Sequence, residues 1–153
     1  MAIVHASCIA IGSCGVLLMG PSGAGKSDLA LRLIDGGAVL VADDQVALRA
    51  EGSALHARPP DALAGRMEIR GIGIVTLAWR APVTVGLAVE LLAHEPPRLP
   101  EAAVWRHEGI DIAQIAVAAF TASAAAKVRL AVSSAANDSA VAAARAARDA
   151  EAR

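Results

Sequence analysis

Gly20-Pro21-Ser22-Gly23-Ala24-Gly25-Lys26-Ser27 is a complete G-x-x-x-x-G-K-S run, and its reading decides the fold. Its glycines let the backbone turn until several N–H groups point into one anion-sized hollow, and a helix that begins there adds the positive end of its dipole. Lys26 supplies charge for the outer phosphates of a nucleotide, and the Ser27 hydroxyl supplies a ligand for Mg²⁺. The flanks arrive in the required order. Gly15-Val16-Leu17-Leu18-Met19 is a short apolar run of strand type, and Ser27 to Asp35 sets Leu29, Ala30 and Leu33 on one helical face. Strand, loop and helix together predict an α/β fold in which Gly20 through Ser27 hold the phosphates. The competing reading is a glycine-rich turn without a ligand. Both flanks weigh against it, as does the position of Lys26, one of two lysines in the chain.

A length of 153 residues predicts a single domain, with an α/β core over 1–121 and an alanine-rich helical tail over 122–153. The formal net charge is -1 and the arginines are scattered, so no basic stripe exists and no nucleic-acid partner is expected. Apolar residues make up 56%, yet the aromatics are two Trp and one Phe. Alanine, valine, leucine and isoleucine must therefore fill the core, and stacking on nucleic-acid bases has almost no raw material. The stretch from Ile3 to Met19 is apolar enough to raise the question of a leader or a membrane span. It has no basic start, His5, Ser7 and Ser13 interrupt it, and Gly12 and Gly15 break it short of the roughly 20 residues a spanning helix needs. The expectation is a cytoplasmic chain with no membrane partner. Cys8 and Cys14 lack the C-x-x-C spacing of a redox or zinc site and read as buried, reduced thiols.

Along the chain, Ile3 to Ile11 reads as a strand, Ser13-Cys14-Gly15 as a turn and Val16 to Met19 as a second strand feeding the loop. His5, a lone histidine at the start of a strand, reads as structural from the residues alone. Gly36-Gly37 ends the helix, and Ala38 to Ala42 is a buried strand that stops at Asp43-Asp44. Two acids there form either a solvated turn or the carboxylates that handle Mg²⁺ and the attacking hydroxyl downstream of a phosphate loop. Because successive side chains of an extended chain point to opposite sides, the two should do different jobs. Gln45 to Arg49 and Ala54 to Ala57 read as strands around a Glu51-Gly52-Ser53 turn, and Arg58-Pro59-Pro60-Asp61 as a loop. Met67-Glu68-Ile69-Arg70-Gly71-Ile72-Gly73-Ile74-Val75 sets one acid and one base between glycines. It reads equally as a strand-bulge-strand with a surface ion pair or as backbone brought close to a ligand. Val83 to Leu91 is a long strand, His94 to Pro100 a proline-rich loop, and Val104 to His107 and Ile110 to Val117 are strands around a Glu108-Gly109 turn. From Ser123 the chain turns helical, with a break at Asn137-Asp138-Ser139 where Asp138 or Ser139 caps the last segment.

In their order, four features resemble the catalytic domain of bacterial HPr kinase/phosphorylase, in a short form without the N-terminal regulatory domain. They are His5 ahead of the loop, the loop GPSGAGKS, the strand end Leu40-Val41-Ala42-Asp43-Asp44-Gln45-Val46, and Met67-Glu68-Ile69-Arg70-Gly71-Ile72-Gly73-Ile74. The resemblance covers about residues 3 to 130, and the last signature is the most specific, since a generic phosphate-loop enzyme has no reason to carry it.

The resemblance implies an ATP- and Mg²⁺-dependent serine kinase acting on the HPr-like phosphocarrier protein of the bacterial phosphotransferase system. Lys26 and the loop amides would hold the nucleotide phosphates, and Ser27 and Glu68 would bind Mg²⁺. Asp44 would accept the proton of the serine hydroxyl and return one in the reverse direction, and His5 would line the same pocket. Asp43 would orient the metal or its waters, and Arg70 and Arg98 would offset charge on the transferred group. The implied fold is a mixed-strand α/β sandwich similar to phosphoenolpyruvate carboxykinase, and the implied assembly is a homo-oligomer. Phosphorylase members typically carry P-x-R-P-G-R before the last helix, where this chain has Ala122-Ser123-Ala124-Ala125-Ala126-Lys127-Val128-Arg129, so phosphorolysis stays open. A small-metabolite kinase with the same loop and a nucleotide-sensing regulator that transfers no phosphate are the competing functions.

Overall fold

A computed structural model describes residues 1–134. The tail beyond them, with the predicted break at Asn137-Asp138-Ser139, lies outside the described residues. The strands are β1 (Ala2–Val4), β2 (Ala6–Ile11), β3 (Cys14–Met19), β4 (Val39–Ala42), β5 (Val46–Glu51), β6 (Ala54–Arg58), β7 (Arg66–Ile69), β8 (Gly73–Thr76), β9 (Val83–Leu92), β10 (Ala103–His107) and β11 (Ile110–Ala118). Helix α1 spans Lys26–Asp35, a 3-10 turn spans Asp61–Leu63, and residues 124–134 are helical. Among the described residues, no helix is long and apolar enough to cross a membrane.

Nine strands form one mixed sheet, seven of them in the order β1-β5-β6-β9-β3-β2-β4 and the other two, β11 and β10, branching from β9. Strand β9 is its axis: one side pairs with β3 in parallel, while the other meets β6 at Val83–Thr84 and β11 from Ala88 to Leu92, with β10 beyond β11. The sheet curls until β5 touches β2 and β6 touches β4, so both faces are covered. One face carries Ile9, Val16, Leu18, Leu40, Val89 and Leu91 against Leu29 and Leu33 of α1 and Val128 of the second helix. The concave face closes over Cys8, Leu17, Val41, Leu48, Leu55 and Val85. Leu17 and Leu18 are thus both fully buried, on opposite faces. That is why β3 reads as an unbroken apolar run rather than an alternating one.

Helix α1 ends as its sequence dictates. Gly37 donates to the Ile34 carbonyl at 3.0 Å and Ala38 to the Leu33 carbonyl at 3.0 Å, the paired bonds of a Schellman cap, with Gly37 at φ 112°. Only a residue without a Cβ takes that conformation cheaply.

Three expectations about the strands need correction. The chain from Ile3 to Ile11 is not one strand: it bends at His5, and β1 leaves to pair with β5 instead of extending β2. The first turn is Gly12-Ser13, and Cys14 already pairs with Ile11. Met67 to Val75 is neither continuous nor bulged but a hairpin, β7 and β8 forming a separate two-stranded sheet closed by an Ile72 N–H bond to the Ile69 carbonyl at 3.0 Å. The elements from β9 to the 124–134 helix follow the sequence expectation. Cys8 is buried, Cys14 half-buried, and both are free; burial pushes both thiols above the usual range.

Candidate functional site

The direction of the strands delivers several chain segments to one edge of the large sheet. Strands β3 and β4 both run antiparallel to β2, while β9 is parallel to β3 and β11 is parallel to β9. The loop after Met19, the acids after Ala42, the loop after Leu92 and the turn after Ala118 therefore leave from the same edge. His5 enters there too, because Ala6 pairs with Met19. Ligands bind characteristically beyond the carboxyl ends of parallel strands.

The loop from Gly20 to Ser27 arches over the start of α1, with Gly23 at φ 82° and Gly25 at φ 97°. Lys26 is buried to 7% exposure, and its Nζ donates to the carbonyls of Gly20 at 2.6 Å and Pro21 at 3.0 Å. Both partners of this ammonium are neutral carbonyls, and a hydrogen bond to an anionic oxygen is roughly twice as strong.

Asp43 and Asp44 part at once. Asp43 is buried and its Oδ1 accepts from both the Ser27 hydroxyl at 2.7 Å and the Ser7 hydroxyl at 2.8 Å. Strand register places Ser7: Cys8 pairs with Ala42, so the next residues along, Ser7 and Asp43, face each other. Val41 is the extra residue of a bulge in β4 just before this point, a common device beside functional sites. Asp44 turns outward at φ 68°, spanned by a Gln45 N–H bond to the Asp43 carbonyl at 2.8 Å, which makes it the centre of a γ-turn. A non-glycine residue held there costs about 1–3 kcal/mol, strain that clusters at functional sites. The acids do point to different partners as expected, but the cause differs from the expected one: strand β4 ends at Ala42, and the γ-turn, not alternation along a strand, separates them.

His5 meets Asp44 with Nδ1 3.3 Å from Oδ1, both side chains about half exposed. Register explains this contact too. Val4 pairs with Val46, so His5 follows on one strand where Gln45 and Asp44 precede on the other. The bend that breaks the predicted long strand is what lets His5 reach the acid.

The remaining candidates are not gathered as tightly. Glu68 lies on β7, where its neighbour Met67 is buried against the α1 face, and Glu68 itself is exposed and makes no ion pair among the described residues. Arg70 sits in the exposed β7–β8 turn, and Arg98 in the exposed loop that leaves β9 at the site's edge. The structure joins Ser27 to Asp43 rather than to Glu68. No cluster of three or more His, Cys, Asp or Glu side chains suited to a metal occurs among the described residues. A cavity of about 490 Å³ lined by Met1, Arg49, His56 and Arg58 shares no residue with this site.

Sequence reasoning passed over Ser7, Arg32 and Phe120. Ser7 is a lone polar residue inside Ala6-Ser7-Cys8-Ile9-Ala10, which was its signal. Arg32 pairs with Asp28 at 3.0 Å and donates to the carbonyls of Ala119 and, at 3.1 Å, Thr121, tying α1 to the turn after β11. Nothing local announces a bond across 89 residues of sequence.

Residues 1–141 match the HPr Serine kinase C-terminal domain. The chain belongs to that family. The HPr kinase/phosphorylase of Chlorobium limicola is 49% identical over 97 residues, 58% of this chain and 29% of that protein. The one from Chloroherpeton thalassium is 36% identical over 121 residues, 74% of this chain and 36% of that protein. The chain therefore spans about a third of the length of these HPr kinase relatives. The solved structure of the HPr(Ser) kinase/phosphatase from Coxiella burnetii is 30% identical, with a TM-score of 0.68 over 76% of this chain and 85% of that one. The mixed α/β fold with its curled sheet and two helices is the fold of an HPr kinase domain.

Proposed function

We propose that this domain is an ATP- and Mg²⁺-dependent protein serine kinase whose substrate is an HPr-like phosphocarrier protein. The observation that carries the reading is the split acid pair beside the loop: Asp43 bonded to Ser27 at 2.7 Å, Asp44 turned toward His5 at 3.3 Å. Phosphoryl transfer needs charge neutralisation, in-line placement and one base, and this edge offers a group for each. The loop amides and Lys26 bind the phosphates of ATP. The half-buried Ser27 hydroxyl and the buried Asp43 carboxylate suit Mg²⁺, which typically takes one or two protein oxygens and completes its shell with phosphates and water. When bound, Mg²⁺ neutralises charge on the phosphates. Asp44 accepts the proton as the seryl oxygen bonds to the γ-phosphorus and the bond to ADP breaks, and His5 steadies the carboxylate. Glu68, Arg70 and Arg98 belong to the same reading as a metal ligand and two charge-offsetting groups. So do a sandwich similar to phosphoenolpyruvate carboxykinase, supported by the parallel and antiparallel pairs of the curled sheet, and a cytoplasmic setting shared with the carrier. Of the two cations near the position of P-x-R-P-G-R, Lys127 pairs with Glu95 of the loop after β9 at 3.8 Å and is the one placed to supply charge for any reverse reaction, whereas Arg129 is bonded to the carbonyls of Arg32 and Leu33 at the far end of α1.

Incubation with γ-labelled ATP, Mg²⁺ and an HPr-like protein tests this, and label on a serine of the carrier is the expected result. Label on a small metabolite alone would point to a metabolite kinase, and ATP binding without transfer to either would point to a sensor.

Self-association is part of the proposal. Ile72 and Ile74 on the β7–β8 hairpin are 74% and 72% exposed, apolar surface that a second copy can cover. Light scattering at micromolar concentration should give a multiple of 15.4 kDa, and the monomer mass alone would remove the idea.

A further inference from the structure

The edge that holds the loop has two unlike flanks. On the β2–β4 side stand His5, Asp43 and Asp44; on the β9–β11 side stands the turn after Ala118. That turn carries Phe120, the chain's single phenylalanine, which is 69% exposed. The ring is not adrift. A Cβ on Gly25 would lie 2.9 Å from its Cζ and 3.0 Å from its Cε1, so the ring tip rests on the last glycine of the loop. Arg32 holds the turn from α1 through the carbonyls of Ala119 and Thr121, and the Thr121 hydroxyl closes it on the Ala118 carbonyl at 2.9 Å. A large apolar ring fixed at the helix end of an anion hollow, with most of its surface open, is positioned for a flat ligand.

We propose that Phe120 is the stacking platform for the base of the nucleotide. The inference rests on the nucleotide reading of the loop given above and adds its polarity. With the reacting phosphate directed to the Asp44–His5 flank, the nucleoside end leaves the loop on the opposite flank, past Gly25, where Phe120 waits. Glycine at position 25 serves both ends of this arrangement: it accepts φ 97°, and its missing side chain lets the ring close on the loop.

Titration calorimetry of the full chain with ATP and with inorganic tripolyphosphate, each with Mg²⁺, separates base from phosphate. Phe120→Ala and Phe120→Leu should each weaken ATP binding about tenfold, within the range that loss of one aromatic–base stack produces, and leave tripolyphosphate unchanged. Phe120→Trp should restore ATP affinity. Unchanged ATP affinity in both variants, or an equal loss for the two ligands, overturns the stack and reduces the ring to a prop for the loop. Lys26→Ala is the comparison: it should weaken both ligands. If the wild type binds neither, or Lys26→Ala spares both, the nucleotide reading itself fails, an outcome distinct from loss of the stack alone.

Discussion

Asp44→Asn is expected to lower the rate of phosphoryl transfer by roughly 10² to 10⁴ while leaving nucleotide and Mg²⁺ binding nearly intact, the usual consequence of removing one general base. The substitution is well suited to the site. Asparagine shares with aspartate a tolerance of the left-handed region, so φ 68° is kept and the γ-turn survives. The amide can still accept at one oxygen from His5, so geometry is retained while the proton acceptor is lost. Rate should therefore fall without a matching rise in KM, because the lost interaction belongs to the transition state. The kcat–pH profile of the wild type should show an acid limb that the variant lacks. An acid limb that persists in Asp44→Asn would move the base elsewhere, and His5, 3.3 Å away, is the next candidate.

Asp43→Asn should behave differently, raising the Mg²⁺ concentration needed for half-maximal rate by about 10- to 100-fold, as loss of a partner that orients a metal ligand does. The nucleotide KM should rise with it, since binding lost in the ground state shows there. The side chain is 7% exposed and one oxygen serves two hydroxyls, so shape must be conserved for the measurement to mean anything. Asparagine retains an accepting oxygen for Ser7 and Ser27. Asp43→Ala would strand both hydroxyls and cost about 1–3 kcal/mol for each left unsatisfied, confounding activity with stability. A Mg²⁺ dependence in Asp43→Asn equal to wild type would mean that the carboxylate only braces Ser7 and Ser27.

Much of this was legible in the chain itself because the signals are local. A phosphate loop needs glycines, a lysine and a serine in fixed order, and residues 20–27 supply them with a strand before and a helix after. The end of α1 followed from Gly36-Gly37, and the β10–β11 hairpin from Glu108-Gly109, where both residues take positive φ. The candidate acids were visible because a single Asp often follows a strand, but two in a row at the end of an apolar one are unusual.

What the chain could not state is how strands from distant sequence align, and that alignment places the chemistry. His5 reads as structural until β1 pairs with β5 and carries it to Asp44; Ser7 reads as an interruption until Cys8 pairs with Ala42 and brings it to Asp43. Glu68 and Arg70, joined to the loop by motif alone, turn out to lie on a separate hairpin. The sequence by itself determined the glycine-rich loop between a strand and a helix, the two acids after a buried strand, and the family. The tertiary structure alone decided which acid meets which partner and that Phe120 rests on Gly25, because strand register and the curl of the sheet are set by burial of both its faces over the whole chain, not by any neighbouring residues.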